Sequence, residues 1–484
     1  MTKADAGLAN RLWRRLGGGA VVGAGLAIEL GSQFVRTLIL ARLLGSSQFG
    51  LVASINTLYS VVEMVCFIGI DRYIVYAPEG AGRHALDVAH TLTWLRAVMC
   101  SALIFALAGP TAALVGATGY AGGFAVVAIV PLLRGAMHLG ITQMQRSGRF
   151  LPAAAAEAIG ALLGLLASAV AAFVAHDYRA VLWGLGVQAA AAVLLSQLFA
   201  RGIPYRFSAD RRLMRDALRF GVPLLLNGLA LAAAFQLDRI VIGAWLGVVE
   251  LGIYGLWMAL FLQPVSLLLR LANTALQPRL SEAWHADRPG SFQVLAWKTG
   301  RYLAAFGAAG AAVAACAGAP LLYRMFGPGY AASDIFLVLL AGGGIFMRLC
   351  RGALNLLGLA IGRTTDLMIS NIVGAAALPI TVAAFYVYPH VESAAFAGLL
   401  GEVLTCVVAM LLLRKHCGQA AVTVLRSFAI AGLIPAAVGL AVLVADPSLW
   451  VRAFGALAGV GAAILFLLLT RRPPGSRRLT VSER

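Results

Sequence analysis

The sequence predicts an all-α polytopic membrane protein with about 14 transmembrane helices. Three observations support this fold class. The chain of 484 residues is 61% hydrophobic and only 12% charged, against roughly 25% charged in a typical soluble domain. Apolar stretches of about 20 residues, long enough to cross a hydrocarbon core about 30 Å thick, recur along its whole length. Basic residues are concentrated in alternate connections between these stretches.

The apolar stretches and the basic residues together predict the topology. By our placement of the spans, the two termini and the even-numbered connections contain 25 Lys and Arg residues, and the odd-numbered connections contain 3. Cytoplasmic connections are the ones enriched in Lys and Arg, so both termini are expected in the cytoplasm. The candidate spans are approximately 16–40, 50–74, 88–113, 122–144, 152–175, 180–200, 217–244, 252–278, 302–323, 334–358, 367–388, 394–413, 427–445 and 450–470.

The net charge of +18 has two common explanations, binding to nucleic acid and binding to anionic lipid. Because the excess lies in the predicted cytoplasmic connections, we expect contacts with anionic lipids and no nucleic acid. No CxxC pair suggests a metal site, and no cofactor is expected.

Internal matches indicate two related halves. The segment RGAMHL (134–139) resembles RGALNL (351–356), and GRFLPAAAAEAIG (148–160) aligns with GRTTDLMISNIVG (362–374). Six helices per repeat is an even number, so both copies would insert in the same orientation, as in parallel-repeat transporters. We therefore expect two six-helix parallel repeats in two lobes plus a C-terminal helix pair. The predicted segments are an N-terminal lobe (1–200), a basic cytoplasmic linker (201–216), a C-terminal lobe (217–416), two extra transmembrane helices (427–470) and a basic cytoplasmic tail (471–484).

A third match concerns two short connections. ARLLGSSQFGL (41–51) shares a Leu-Gly pair and a second glycine with GAWLGVVELGI (243–253). We expect Gly45 and Gly247 to end helices as C-caps, and Gly50 and Gly252 to let the next helix leave close beside the first.

These segments, together with the helix from Pro223 through Asp238-Arg239 to Gly-Ile-Tyr, resemble the Wzx-type oligosaccharide flippases of the multidrug/oligosaccharidyl-lipid/polysaccharide exporter superfamily. The resemblance spans about residues 14 to 415. It implies two six-helix lobes that open alternately to either side of a bacterial inner membrane. It also implies transport of polyprenyl-diphosphate-linked oligosaccharide to the outer leaflet for surface polysaccharide synthesis (O-antigen, capsule or exopolysaccharide). The expected partners are undecaprenyl-diphosphate-linked oligosaccharide and the polymerase and chain-length proteins of the same pathway.

Arginines near the centres of spans are the candidates for binding the pyrophosphate. Ionisable side chains deep in a membrane are costly and mark transport pathways, and the planar guanidinium suits phosphate. Arginines close to span ends (Arg36, Arg96, Arg219, Arg301 and Arg452) are instead expected to extend to the headgroups. The candidate residues for the pyrophosphate and sugar cavity are Arg134, His138, Arg270, Arg348, Arg351 and Asn355. For His138, a structural hydrogen bond between helices is the alternative, and for Arg134, Arg348 and Arg351 the alternative is a structural ion pair between helices.

Carboxylates inside the spans are candidates for coupling transport to an ion gradient. Glu29, Gln33 and Arg36 share one face of the first helix, and Glu63 is placed to join them. Asp238 and Glu402 complete this group of ion-coupling candidates. For Glu29 and Glu63, a structural ion pair is an equal alternative.

Three other functions remain open at this point. A peptidoglycan lipid II flippase and a cation-coupled drug exporter belong to the same superfamily, and the exporter would be expected to have a more acidic cavity. A membrane-embedded polysaccharide polymerase or ligase is disfavoured, because the predicted outside connections are short and nearly uncharged. No nucleotide-binding GxxxxGK[ST] loop is present, so a secondary transporter is expected rather than an enzyme.

Overall fold

A computed structural model describes residues 3–77, 82–286, 289–331, 333–444 and 449–470, and the described residues contain no β-strand. The predicted basic tail, 471–484, lies outside them. The α-helices are α1 (Lys3–Val65), α2 (Ile70–Tyr76), α3 (Arg83–Leu114), α4 (Ala121–Val126), α5 (Ile129–Gly135), α6 (Gly140–Arg146), α7 (Leu151–Ala175), α8 (Arg179–Phe199), α9 (Arg211–Phe235), α10 (Leu237–Leu246), α11 (Val248–His285), α12 (Pro289–Phe326), α13 (Asp334–Leu337), α14 (Phe346–Ala360), α15 (Thr364–Gly374), α16 (Ala377–Val387), α17 (Val391–Ala431), α18 (Leu433–Val444) and α19 (Leu449–Leu469).

The all-α membrane class is confirmed. Among the described residues, eleven helical segments are long and apolar enough to cross a membrane. Two of them, with 47 and 54 residues, each overlap two of the predicted spans. The predicted span 217–244 is not among the eleven, and it is divided into α9 and α10 at Gln236. The number of spans therefore stays a prediction.

Some of the predicted spans contain interruptions of the α-helix. The span 122–144 is divided into α4, α5 and α6, with tight turns at 127–128 and 136–139. Pro131 lacks a backbone N–H and therefore cannot donate to the helical ladder at the start of α5. The span 367–388 is divided into α15 and α16, and the span 50–74 is interrupted between α1 and α2.

The turn glycines take the conformations that the sequence predicted. Gly45 lies inside the residue range of α1, but its φ of 72° breaks the helical geometry there. Gly247 has a φ of 88° and is the C-cap of α10. Both angles lie in the region where side chains other than glycine are strained.

Glycines at other corresponding positions of the two halves also have a positive φ. Gly148 and Gly362, which begin the aligned GR segments, have φ angles of 79° and 77°. Gly116 and Gly327 have φ angles of 72° and 87°, and each precedes a short 3₁₀ turn that ends in tyrosine. Two copies of one structural motif would produce this agreement. The boundaries of the two repeats stay a prediction.

The described helices form two compact units, Met1–Ala259 (unit 1) and Leu260–Arg484 (unit 2). Unit 1 includes α9 and α10, which the sequence assigned to the second lobe. Its tightest pairing joins α7 and α8, where a Cβ on Gly184 would lie 1.8 Å from Ser168 Oγ. In unit 2, α12 packs against α17 and α19, and Arg452 on α19 donates two hydrogen bonds to Asp334, at 3.0 and 2.8 Å.

The first ten residues of the linker, 201–210, lie against α3 and the turn after α5. His138 and His90 contact the carbonyl oxygens of Ile203 and Arg206 through ring nitrogens, at 3.0 and 3.3 Å. Tyr205 accepts a hydrogen bond from the indole of Trp94 at 2.9 Å, and burial raises the pKa of its hydroxyl. These contacts fix the linker to the wall of the cavity described next.

Candidate functional site

Unit 1 contains a cavity of about 480 Å³ between α1, α2, α3, α5, α6 and α7. Apart from the short helices α2 and α6, these elements contribute to candidate membrane spans. Because its ionisable side chains comprise four carboxylates and two guanidinium groups, we call it the acidic cavity. Those side chains are Glu29, Glu63, Asp71, Arg96, Arg134 and Glu157.

Two ion pairs connect the helices around the acidic cavity. Arg96 on α3 donates to Glu63 on α1. Arg134 in the last turn of α5 donates through both terminal nitrogens to Glu157 on α7, at 3.4 and 3.3 Å. With every group ionised, the two pairs cancel and the cavity retains two negative charges. Such a cavity favours cations over phosphate.

The two further carboxylates come from α1 and α2. Glu29 accepts a hydrogen bond of 3.3 Å from Gln33, one turn along the same helix. Asp71 lies in the first turn of α2, directly after the interruption at 66–69, and its side chain is exposed. Gly69 has a φ of 61° at this interruption, and the turn brings Asp71 to the cavity that Glu63 also lines.

The interruption between α1 and α2 is held by close contact with α9. A Cβ on Gly221 would lie 2.5 Å from the carbonyl oxygen of Ile68, and one on Gly228 would lie 2.2 Å from that of Met64. Neither position has room for a side chain. The backbone of α9 therefore supports the segment that contributes Glu63 and Asp71.

Unit 2 contains a second charged cluster, which we call the arginine pair: Arg348 and Arg351 on α14, sharing the carboxylate of Glu402 on α17. Arg348 Nε donates to Glu402 Oε1 at 3.0 Å, and Arg351 Nε lies 3.1 Å from Oε2. The three side chains are 17%, 11% and 9% exposed, so this ion triad is largely buried within candidate spans. It has one net positive charge.

The helix geometry around the arginine pair is unusual. A π-helical segment, Val338–Ile345, precedes α14 and contains the glycines at 342–344. π-Helical turns are rare and occur frequently at functional sites. On the same helix face, Asn355 has a buried amide oxygen that has no hydrogen-bond partner among the described residues.

The remaining predicted site residues lie apart from these two clusters. His138 does not line the acidic cavity: its Nε2 contacts the Ile203 carbonyl and its Nδ1 accepts from the backbone N–H of Gly140. Asp238 lies in the first turn of α10, where it accepts hydrogen bonds from the backbone N–H of Arg239 at 2.8 Å and from the hydroxyl of Tyr254 at 2.5 Å. Arg270 is an exposed side chain of α11.

Three charged residues of the acidic cavity were not expected there from the sequence. Glu157 was overlooked, although it is an acidic residue in an otherwise apolar helix and belongs to an aligned GR segment. The sequence did not indicate that Asp71 lines a cavity, because only the interruption between α1 and α2 brings it there. Arg96 was expected to extend to headgroups, but it lines the cavity and pairs with Glu63.

Three further arginines near span ends also have partners within the chain, and their extension to the headgroups stays a prediction. Arg36 donates to the side chain of Gln188 at 3.1 Å, and Arg301 donates to the carbonyl oxygen of Thr470 at 2.6 Å. Arg452 pairs with an aspartate, as described above. Each guanidinium has a hydrogen-bond acceptor within the chain that competes with the lipid headgroups. The position of an arginine in the sequence does not reveal such an acceptor.

Comparison with known proteins places the chain in a family. The family described as "Polysaccharide biosynthesis protein" matches residues 39–331, which is more than half of the chain. The amylovoran biosynthesis protein AmsL of Erwinia amylovora is 26% identical over 213 residues, covering 42% of this chain and 52% of AmsL. The chain therefore spans about half the length of the curated relative that it matches.

Solved structures agree on the fold. The lipid II flippase MurJ, in an inward closed conformation, has a TM-score of 0.71 at 11% identity, covering 93% of this chain and 98% of MurJ. An inward-facing MATE multidrug transporter of the MOP superfamily has a TM-score of 0.66 at 14% identity, covering 82% and 95% of the two chains. Both relatives are membrane transporters by name, and at this identity the likeness concerns the fold.

The family match and the fold both indicate a multi-pass membrane protein, and the charged clusters lie inside its candidate spans. The chain belongs to the polysaccharide biosynthesis protein family and is a multi-pass membrane protein whose fold is like that of MurJ and of a MATE transporter.

Proposed function

We propose that this protein moves a polyprenyl-diphosphate-linked oligosaccharide from the cytoplasmic to the outer leaflet of a bacterial inner membrane by alternating access. The undecaprenyl carrier is the expected lipid, and surface polysaccharide synthesis is the expected pathway. The family match supports this class of cargo. Both termini are proposed to be cytoplasmic, with anionic lipids contacting the basic connections. The polymerase and chain-length proteins of the pathway are the proposed protein partners.

The observation that carries the proposal is the arginine pair. Arg348 and Arg351 place two guanidinium groups one turn apart inside a candidate span, and both lie within 3.1 Å of the carboxylate of Glu402. Charged arginines are rare at this depth and suit phosphate, because each presents a planar fork of donors. Asn355, one turn further, offers a buried amide oxygen to a sugar hydroxyl. Arg270 is exposed on α11 and is available for a weaker contact with the cargo, away from the arginine pair.

The acidic cavity has the opposite character. Its two excess negative charges repel a pyrophosphate and attract a cation. The sequence led us to expect Arg134 to bind pyrophosphate. In the structure, both of its terminal nitrogens donate hydrogen bonds to Glu157. We therefore assign cargo binding to the arginine pair and ion coupling to Glu29, Glu63 and Asp71.

Mass spectrometry of polyprenyl-diphosphate lipids from cells depleted of this protein tests the proposal. Accumulation of a multi-sugar lipid, with viable cells and loss of the surface glycan, is expected and would also identify the cargo. Accumulation of lipid II with lysis would instead assign the protein to peptidoglycan synthesis.

One observation favours a second candidate, the cation-coupled drug exporter. Such an exporter is expected to have an acidic cavity, and unit 1 contains one. An unchanged lipid pool in depleted cells, combined with increased sensitivity to cationic dyes, would favour this candidate over the flippase.

A further inference from the structure

We propose that the exposed face of α9 is a docking site for one anionic phospholipid of the cytoplasmic leaflet. Its phosphate lies among the arginines of the first turns, and an acyl chain follows the apolar side chains further along the helix. This inference deepens the part of the proposed function that concerns anionic lipids, and it rests on the cytoplasmic placement of the linker. It does not depend on the cargo or on the arginine pair.

The described exposed side chains of α9 lie on one side of the helix. At 3.6 residues per turn they fall within about a third of the circumference, and we call this surface the α9 face. The first half of the α9 face is basic and the second half is apolar. Its side chains are Arg211, Arg212, Arg215, Leu218, Arg219, Val222, Leu226 and Leu229.

The other side of α9 packs within unit 1. A Cβ on Gly221 would lie 2.5 Å from the carbonyl oxygen of Ile68, and one on Gly228 would lie 2.2 Å from that of Met64. The helix is therefore held by its glycine side against the interruption between α1 and α2. The α9 face points the opposite way, which makes it the side available to a partner from outside the chain.

The basic half of the α9 face has little compensation from the chain itself. None of its four guanidinium groups forms an ion pair within the part of the chain that the structure describes. The cap Asp210 accepts hydrogen bonds from the backbone N–H groups of Arg212 and Leu213, and Asp216 is half-buried. The charge of this half therefore favours an anionic partner.

The spacing of the arginines suits a phosphate group. Arg211, Arg215 and Arg219 follow one another at intervals of four residues, which places neighbouring guanidinium groups one turn apart. Two such groups can donate to the oxygens of one phosphate. The predicted membrane span begins at residue 217, so these arginines lie at the level of the lipid headgroups.

The apolar half of the α9 face has the length of one bilayer leaflet. At about 1.5 Å per residue, Leu218 and Leu229 lie about 16 Å apart along the helix axis. A leaflet is half of a hydrocarbon core about 30 Å thick. The four apolar side chains of the face are 41–57% exposed and can line one acyl chain over this distance. An extended undecaprenyl chain is longer than one leaflet, so the match in length favours a phospholipid over the cargo.

Native mass spectrometry of the purified full-length protein in detergent tests this inference. The protein is titrated separately with palmitoyl-oleoyl phosphatidylglycerol and with the phosphatidylcholine that has the same acyl chains, and the dissociation constant of the first bound lipid is measured. The α9 variant combines Arg211→Gln, Arg215→Gln and Arg219→Gln. The matched control removes the same charge from exposed positions of α17 by Arg414→Gln, Lys415→Gln and Arg426→Gln.

The wild type and the α17 control are expected to bind phosphatidylglycerol at least about fivefold more tightly than phosphatidylcholine, because clustered arginines attract anionic headgroups. The α9 variant should lose this preference. Equal affinities for the two lipids in the wild type would overturn the inference, as would an equal loss of preference in both triple variants. Either result would leave the proposed cargo and its transport standing.

Two further measurements test the apolar half and the choice of lipid. Leu226→Gln should weaken the binding of both phospholipids about threefold, because it removes part of the surface that the acyl chain covers. Unchanged binding in this variant would overturn the placement of the acyl chain. Tighter binding of geranylgeranyl diphosphate than of phosphatidylglycerol, lost in the α9 variant, would overturn the phospholipid as the occupant and assign the α9 face to the cargo.

Discussion

Gly50 and Gly252, corresponding glycines of the two related connections, lie in direct backbone contact. A Cβ on Gly252 would come within 3.0 Å of the Cα of Gly50 and within 2.5 Å of the Ser46 carbonyl oxygen. A Cβ on Gly50 would come within 1.9 Å of the Val248 carbonyl oxygen. The sequence led us to expect these glycines to allow tight hairpins. Their observed role is to let the two connections pack against each other.

Gly50→Ala is expected to destabilise the protein by about 1–3 kcal/mol, because the added methyl group forces two backbones apart. Gly31→Ala is the matched control, since it adds a methyl group to the same helix where nothing lies within 4 Å. Apparent Tm values in detergent should fall for Gly50→Ala and stay unchanged or rise for Gly31→Ala. Equal Tm values for the two variants would contradict the close contact.

Arg351→Glu is expected to abolish glycan export without preventing membrane insertion. The substitution removes one phosphate donor and places a second carboxylate beside Glu402. Surface glycan should fall to background while immunoblots of the membrane fraction show normal protein levels. Arg351→Lys should retain partial export, since lysine keeps the charge but lacks the planar fork.

Arg426→Gln is the control for that prediction, because it removes an exposed arginine on α17 outside the triad. Export should be close to wild type. Normal glycan export by a well-expressed Arg351→Glu variant would remove the arginine pair from the cargo site.

The pair Glu63–Arg96 should behave as a coupled unit. Either Glu63→Gln or Arg96→Gln leaves the partner charged and mostly buried, at 23% exposure, so each is expected to cost about 1–3 kcal/mol. The double variant should be more stable than the two single effects added together, with a coupling energy of about 0.5–3 kcal/mol. Thermal unfolding of the four proteins in detergent measures this coupling, and strictly additive effects would argue that the contact has no energetic role.

The stability of the protein is expected to depend on pH through the carboxyl group of Asp210. It caps α9, and the backbone N–H groups of Leu213 and Arg212, with a smaller contribution from His84, hold the pKa of its carboxyl below the usual value. A lowered pKa means that the ionised cap stabilises the fold above about pH 4, the usual value for aspartate, and that this stabilisation is lost as the pH falls further. The Tm difference between the wild type and Asp210→Ala should be present at pH 7 and shrink below pH 4. A difference that is unchanged in acid would show that the charge of the cap is unimportant.

The sequence determined the features that depend on local composition. Hydrophobicity and span length predicted the membrane class, because a chain with a mean hydropathy of +0.87 has no soluble alternative. Glycine spacing predicted the turns at Gly45 and Gly247, because a positive φ strongly favours glycine. Helical periodicity also placed Arg348 and Arg351 on one face, and both reach the same carboxylate.

Tertiary structure decided which charged groups meet. Arg96 and Arg134 were given different roles from sequence, yet both line the acidic cavity, each paired with a carboxylate of another helix. Asp71 joined them only because α2 begins after an interruption that α9 supports. Position along a span reports depth in the membrane, whereas the partner of a buried charge depends on how helices distant in sequence pack. For this reason the amino-acid sequence determined the class of protein, and the packing of α1, α3, α5 and α7 determined that its first cavity is acidic.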